Sequence, residues 1–271
     1  LLSSFMMIYL TDTVGLSAGV VGSLMAASKL FDGVTDIFFG SMIDKTHTRM
    51  GKARPWMFGG FFGCAATLVL VFAIPAGIGT TAQYAWFFIT YTLLNAVFYT
   101  ANNIAYSALT ALITKNQSER VQMGSIRFIF AFGTSMLIQA GTVKLVQMTG
   151  GGAAGWRNAA ILYALLGLAI NSLSVFSVKE LPPEELAEAK APGQPEEAYR
   201  LWDAVRLLAA NKYYLIICGV YILTQLYTAT LNMGIYFMIY ILGNESLLGV
   251  FSMAINIPMI AGLILTPVLV K

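Results

Sequence analysis

The sequence predicts an all-α, polytopic membrane protein. Three observations carry that prediction. Of 271 residues, 58% are hydrophobic and only 11% charged, where a soluble domain runs about 45–50% apolar and about 25% charged. The mean hydropathy is +0.73. The apolar residues also fall in long runs, several reaching the ~20 residues that a helix needs to cross a bilayer. This composition excludes a disordered chain, a nucleic-acid-binding basic domain and an ordinary cytosolic enzyme. Cys64 and Cys218 stand far apart in apolar runs, so neither a disulfide framework nor a zinc site is expected.

In chain order, residues 1–10 make about half of a spanning helix. Runs near 16–43, 55–76, 83–113, 121–148, 156–178, 212–242 and 246–270 follow, giving one truncated helix and seven complete ones. No charged n-region or cleavage site marks the first run as a signal peptide. The chain is expected to be a fragment of a longer protein, truncated at both ends. Runs longer than about 20 residues are expected to tilt or to extend beyond the bilayer.

Basic residues set the orientation. Lys45, Arg49, Lys52 and Arg54 lie in the 44–54 loop, Lys115 and Arg120 in the 114–120 turn, and Lys179, Lys190, Arg200, Arg206 and Lys212 in or beside 179–211. All of these segments fall on one side, which is assigned as cytoplasmic. The opposite loops, near 11–15, 75–82, 149–156 and 243–246, contain no Lys or Arg. A multi-pass protein of the cell (inner) membrane is expected, with membrane lipid as a partner and no nucleic acid.

Residues 179–199 hold four of the eight prolines and six glutamates, too little apolar surface to order themselves, and are expected to be a cytoplasmic linker. Residues 200–210 read either as a short amphipathic helix on the membrane surface or as the cytoplasmic start of the next span. The expected organisation is a six-helix bundle over 1–178 with helix 1 incomplete, a linker over 179–211, and the first two helices of a second bundle over 212–271. Met7-Ile8-Tyr9-Leu10 resembles Met238-Ile239-Tyr240-Ile241, and with one gap Gly19-Val20 aligns with Gly249-Val250. The seventh and eighth helices thus read as a second copy of the first hairpin, a transporter arrangement, with chance similarity between apolar helices as the competing account.

Lys29, Asp32 and Asp36 lie deep in the second run at spacings that place them on one helical face. A charge at mid-bilayer costs about 2.5–3.5 kcal/mol on the lenient insertion scale, so this stripe should face the bundle interior or a water-filled cavity. Two carboxylates a turn apart can hold a hard cation or share a proton, with Lys29 neutralising the empty site. The plainer reading is a salt-bridged cluster that steadies the helix. Arg127, in the fifth run, either pairs with an acid or a hydroxylated ligand or snorkels to the interface, and Lys144 reads as snorkelling. The fourth run carries Asn95, Tyr99, Asn102, Asn103, Tyr106 and Ser107. These groups suit an uncharged polyhydroxylated ligand, or hydrogen bonds between helices. His47 reads as a solvated loop residue and Trp56 as an interfacial anchor.

Lys29-Leu-Phe-Asp32-Gly-Val-Thr-Asp36-Ile-Phe-Phe-Gly40, then Asp44-Lys-Thr and Arg49-Met-Gly51-Lys52-Ala-Arg54-Pro55-Trp56, resembles the glycoside–pentoside–hexuronide:cation symporter family of the major facilitator superfamily. Tyr9-Leu-Thr-Asp12-Thr-Val-Gly15-Leu-Ser17, Asn103-Ile-Ala-Tyr106, Arg127-Phe and Tyr236-Phe-Met-Ile-Tyr240-Ile-Leu-Gly243 match as well. The resemblance implies a major facilitator-type bundle of twelve helices, of which this chain holds the end of helix 1 through helix 8. It implies cation-coupled symport of a sugar or glycoside by alternating access, with Na+, Li+ or H+ as coupling ion and no other cofactor. It assigns Asp32 and Asp36 to the cation (transported Na+ if sodium-coupled), and Lys29 to a basic position beside them. Arg127 matches a basic residue lining the sugar site, with Tyr99, Asn102, Asn103, Tyr106 and Ser107 as further sugar candidates. Asn103 and Ser107 stand where the family's best-known member has a sugar-binding aspartate and a tryptophan that packs on the sugar. Lys45, Arg49, Lys52 and Arg54 form the expected cytoplasmic gating loop, and Asp12 an extracellular-side gate. An acidic sugar ligand early in the family's helix 1 is expected to lie before Leu1. The rivals are a carrier of the same fold for a lipid, drug-like or other non-sugar solute, and a non-transporting sensor. An intramembrane aspartyl protease needs carboxylates converging from different helices, and neither HExxH nor GxSxG occurs.

Overall fold

The structure is a computed structural model, in which residues 2–182, 206, 210–244 and 247–269 are described. The described elements are helical: α1 (Leu2–Ile8), α2 (Ala18–Asp44), α3 (Arg54–Val71), α4 (Thr80–Thr92), α5 (Thr100–Ile113), α6 (Gln117–Met148), α7 (Gly152–Ser177), α8 (Lys212–Asn232), α9 (Gly234–Tyr236) and α10 (Leu247–Leu269). π-Helical turns at Tyr9–Thr13, Leu93–Tyr99 and Phe237–Ile241 extend α1, join α4 to α5, and extend α9. The described helices fall into two compact units, α1–α7 with α10 from Gly249 onward in one, and α8–α9 in the other. Apart from Arg206 and Ala210, the amphipathic segment expected at 200–210 lies outside the described residues, as do 183–199 with Lys190.

Among the described residues, α3, α6, α7, α8 and α10 are long and apolar enough to cross a membrane. α2 has the length at 27 residues, about 40 Å at 1.5 Å per residue, but carries Lys29, Asp32 and Asp36 in its middle. The run expected at 83–113 is helical from Thr80 to Ile113, divided by its π turn. Residues 117–120, expected in a cytoplasmic turn, are instead the first turn of α6. The Asn116 side chain accepts the Ser118 N–H at 2.9 Å, and such a cap starts a helix before its apolar face begins.

α3 is the centre of the larger unit and packs against α4, α5, α7 and the Leu93–Tyr99 turn; α2 lies against α4, α5 and the same turn. The end bearing the 44–54 loop is filled by Ile43, Ala53, Met57, Ala105, Leu109 and Val175. The other end is aromatic: Tyr9 and Phe72 lie 5.0 Å apart between ring centroids, and Phe72 stacks on Trp156 at 6.0 Å. Small residues let the helices approach closely where lipid supplies no hydrophobic drive between them. Gly63 lies under the Phe98 ring, and Gly155 against the Val146 carbonyl. That carbonyl also accepts the Gly151 N–H at 2.9 Å, so it cannot swing aside. Gly155→Ala is therefore expected to destabilise the protein by about 1–3 kcal/mol, read as a lowered unfolding midpoint in detergent; an unchanged midpoint would refute this packing.

The ends of the first and seventh helical runs share one local geometry. Val14 N–H donates to Tyr9 O at 3.0 Å and Leu16 N–H to Leu10 O at 2.9 Å, around Gly15 at φ +82°. Leu242 N–H donates to Phe237 O at 3.1 Å and Asn244 N–H to Met238 O at 2.9 Å, around Gly243 at φ +66°. Both turns thus use bonds spanning five and six residues and close on a glycine in the left-handed region, which a Cβ would strain. The equivalence pairs Tyr9 with Phe237, a register three residues away from the Met7–Met238 match suggested by sequence.

Candidate functional site

The charged stripe of α2 is only partly joined in the structure. Lys29 Nζ lies 2.6 Å from Asp32 Oδ2. The other carboxylate oxygen, Asp32 Oδ1, is buried and has no hydrogen-bond partner. Asp36 follows one turn later on the same stripe, exposed. Thr35, between them, is turned to its own backbone, donating to Phe31 O at 3.0 Å and Asp32 O at 3.1 Å. From the neighbouring helical run, Tyr91 and Tyr99 lie within electrostatic reach of Lys29, and Leu93–Tyr99 is the π-helical turn. Such turns recur at functional sites because they re-aim side chains out of the α-helical register.

A second polar group forms between α5 and α6. The half-buried Arg127 guanidinium lies 3.4 Å from Ser107 Oγ and 3.4 Å from Asn103 Oδ1. Its central carbon stands 4.2 Å from the centroid of the Tyr106 ring, a cation–π contact. The structure therefore brings Asn103, Tyr106, Ser107 and Arg127 together, from two helices and across a sequence separation of about twenty residues. The contacts at 3.4 Å are long, which leaves the guanidinium donors free to turn to a ligand.

Asn102 is placed elsewhere. Its amide donates to Met57 O at 2.9 Å and lies 3.5 Å from Asn171 Oδ1, while Asn171 donates to the same carbonyl at 3.1 Å. These bonds tie α5 and α7 to α3. One residue along a helix is a rotation of about 100°, so neighbouring asparagines face different helices. Tyr99 is exposed on the π turn. Asp12 is exposed and accepts from Thr11 Oγ1 at 2.6 Å. Trp56 is more than an anchor: its Nε1 donates to Thr46 Oγ1 at 2.8 Å and its ring meets Phe39 edge-on at 5.9 Å.

The 44–54 loop is held by a residue that the sequence pattern concealed. Glu180 accepts the backbone N–H groups of Lys52, Ala53 and Arg54 at 2.7, 3.0 and 3.0 Å. Arg54 Nε donates to Val175 O at 2.7 Å, and Leu181 N–H to Leu112 O at 2.9 Å. Lys45 and Arg49 remain exposed, so the loop's basic residues divide into two that face outward, one whose backbone is clamped, and one that binds α7. The available signal was the start of α3, which has no acidic residue in its first turn and so needs an outside acceptor for its unpaired N–H groups.

Five described helices long and apolar enough to cross a membrane, with two polar clusters among the helices, define a polytopic membrane protein. The chain matches the family described as MFS/sugar transport protein over residues 1–271, and it belongs to that family. Among curated relatives it is 33% identical to an isoprimeverose transporter of Lactiplantibacillus pentosus, over 66% of this chain and 38% of that protein. It is 30% identical to a putative glycoside/cation symporter of Escherichia coli (strain K12), over 78% of this chain and 44% of that protein. It is 27% identical to an uncharacterized symporter of Bacillus subtilis (strain 168), over 94% of this chain and 54% of that protein. The chain thus spans about half, or less, of the length of these relatives. The family is one of transporters of the major facilitator kind rather than of enzymes, and the chain's apolar helices make it a multi-pass membrane protein, a class placed in the inner membrane in bacteria.

Proposed function

We propose that the protein is a cation-coupled symporter of a sugar or glycoside, working by alternating access. The observation that carries this reading is the Lys29–Asp32 pair in the middle of α2, with Asp32 Oδ1 buried and unpaired, because charges placed inside an apolar span are costly and need a reason beyond helix stability. Asp32 and Asp36 hold the coupling ion, which is sodium, lithium or a proton, and Lys29 stands in for it when the site is empty. Asn103, Tyr106, Ser107 and Arg127 bind the solute, with Tyr99 at their margin. Ion and solute stabilise the same helix arrangement, so each raises the other's affinity by the same factor. Lys45 and Arg49 close the cytoplasmic side and Asp12 the opposite side. In chain order α1–α7 correspond to the first bundle and α8–α10 to the start of the second, although α10 from Gly249 onward falls in the same compact unit as α1–α7 here. No cofactor beyond the coupling ion enters this scheme. The names of two relatives, an isoprimeverose transporter and a putative glycoside/cation symporter, support the solute class.

A second reading has its own observation. Arg127 has no carboxylate within ion-pairing distance among the described residues; its contacts are an amide, a hydroxyl and a ring. An unneutralised guanidinium favours an anionic solute such as a sugar acid or a sulfonate, and relatives include a glucuronide carrier protein homolog and a putative 2,3-dihydroxypropane-1-sulfonate exporter, both of Escherichia coli (strain K12).

The test is uptake by the full-length protein in proteoliposomes, with neutral glycosides and glucuronides offered under a sodium gradient at fixed pH or under a proton gradient. Gradient-driven uptake of neutral glycosides is the expected result. Uptake confined to acidic sugars selects the second reading. If no sugar moves under either gradient, the sugar assignment fails and a non-sugar carrier takes its place.

A further inference from the structure

We propose that Ser28 is a ligand of the coupling cation, acting with Asp32: two buried oxygens one helical turn apart, both without a partner in the protein, form a seat that Lys29 leaves open. The inference rests on the cation-coupled reading above and deepens it.

Ser28 is 0% exposed, and its Oγ makes no hydrogen bond. Buried hydroxyls rarely go unpaired. A serine or threonine inside a helix can donate to the carbonyl four residues back. In the same helix Ser23 does so to Gly19 at 2.9 Å and Thr35 to Phe31 at 3.0 Å. Ser28 does not, although its setting is more buried than theirs. Four residues on, Asp32 directs Oδ2 to Lys29 at 2.6 Å and leaves Oδ1 buried and bare. Residues at this spacing lie about 5–6 Å apart at Cβ on one face, close enough to share one small ion. A cation satisfies both atoms together, because each offers a lone pair and hard cations prefer oxygen.

The surroundings fit the same seat. α4 packs against α2, and Tyr91 near its end lies within electrostatic reach of Lys29 and Asp32. The next residue, Thr92, carries another buried hydroxyl without a partner. Ser28, Asp32 and Asp36 continue as a single row at intervals of four. Ser28 adds a neutral ligand at the end where the row is buried, whereas Asp36 lies at the exposed end. A neutral hydroxyl beside a carboxylate provides an oxygen for sodium or lithium without a further charge to bury.

The experiment needs no knowledge of the solute. The unfolding midpoint of the purified full-length protein is followed as sodium chloride replaces choline chloride at constant ionic strength, and again with lithium. An ion that binds only the folded state raises the midpoint in proportion to the logarithm of one plus its concentration over its dissociation constant, so the concentration at which the rise sets in reports that constant. Wild type is compared with Ser28→Ala and Asp32→Asn, and the midpoint in choline alone reports whether each variant folds. We expect Ser28→Ala to fold normally and to need about tenfold more sodium for the same rise in midpoint, while Asp32→Asn loses the response. A wild-type sodium curve in Ser28→Ala, with Asp32→Asn unresponsive, overturns the ligand role of Ser28 and leaves the cation at Asp32 standing; the hydroxyl then serves packing or a bound water. If wild type responds to neither ion, a metal cation at Asp32 is itself refuted, and this inference falls with it.

Discussion

Asp32→Asn is expected to lower cation-driven uptake by the full-length protein about a hundredfold or more, with the protein still inserted in the membrane. Two losses combine. On the proposed cation-coupled reading the substitution removes the negative charge that would attract the coupling ion, and it leaves the Lys29 ammonium without the carboxylate that now lies 2.6 Å away. An uncompensated charge within the bilayer costs about 2.5–3.5 kcal/mol, which corresponds to roughly two orders of magnitude in an equilibrium constant. Asp36→Asn is expected to act less severely on the structure, because Asp36 is exposed and has no ion-pair partner among the described residues. Uptake by Asp32→Asn at the wild-type rate under either gradient would remove the cation site from α2.

Lys29 supplies the control that separates charge from fold. Removing one partner of an ion pair inside a membrane span strands the other charge, whereas removing both strands none. Lys29→Met alone leaves Asp32 with no tethered counter-ion, so the mobile cation becomes its only compensation. Lys29→Met is therefore expected to bind sodium more tightly than wild type. Combined with Asp32→Asn, it should remove the stranded ammonium and raise the unfolding midpoint above that of Asp32→Asn alone, without restoring coupling.

The parts of this site that the sequence disclosed are those set by periodicity and burial cost. Lys29, Asp32 and Asp36 stand on one stripe because spacings of three and four leave no other choice, and charges there could not have gone unnoticed. What stayed hidden depends on contacts between distant segments or on small rotations. Asn102 and Asn103 differ by one residue, yet one ties α5 to α3 and α7 and the other meets Arg127. No hydropathy pattern distinguishes them. Ser28 carries no sequence pattern that sets it apart from other small helix residues, and its interest comes from a bond it does not make. The π turns were invisible for a related reason: Leu93–Tyr99 is as apolar as any α-helical stretch of the same run. Glu180 was hidden by its neighbours, since the prolines and glutamates after it give the whole segment the composition of a solvated linker.

Glu180 yields the second large effect, on stability rather than on ion binding. Its carboxylate receives three backbone N–H groups, from Lys52, Ala53 and Arg54, at the start of α3, where the helix dipole also favours an anion. Hydrogen bonds to a charged acceptor contribute more than neutral ones. No other acceptor for these amides is on hand in the first turn of α3, which carries no acidic residue. Gly51, at φ +107°, precedes them, and a Cβ there would collide with the same carboxylate. The loop is thus shaped around Glu180, and loop, α3 and the end of α7 are joined at one point. Glu180→Ala is expected to destabilise the protein by about 2 kcal/mol, a fall of several degrees in the unfolding midpoint. Glu180→Gln should fall between Glu180→Ala and wild type, since its amide oxygen still accepts but carries no charge. Lys179→Ala, next to it and exposed, should leave the midpoint unchanged. Equal midpoints for the two alanine variants would mean that the clamp contributes nothing. A selective loss in Glu180→Ala would instead show that the first residues after α7 hold the loop that carries the exposed Lys45 and Arg49.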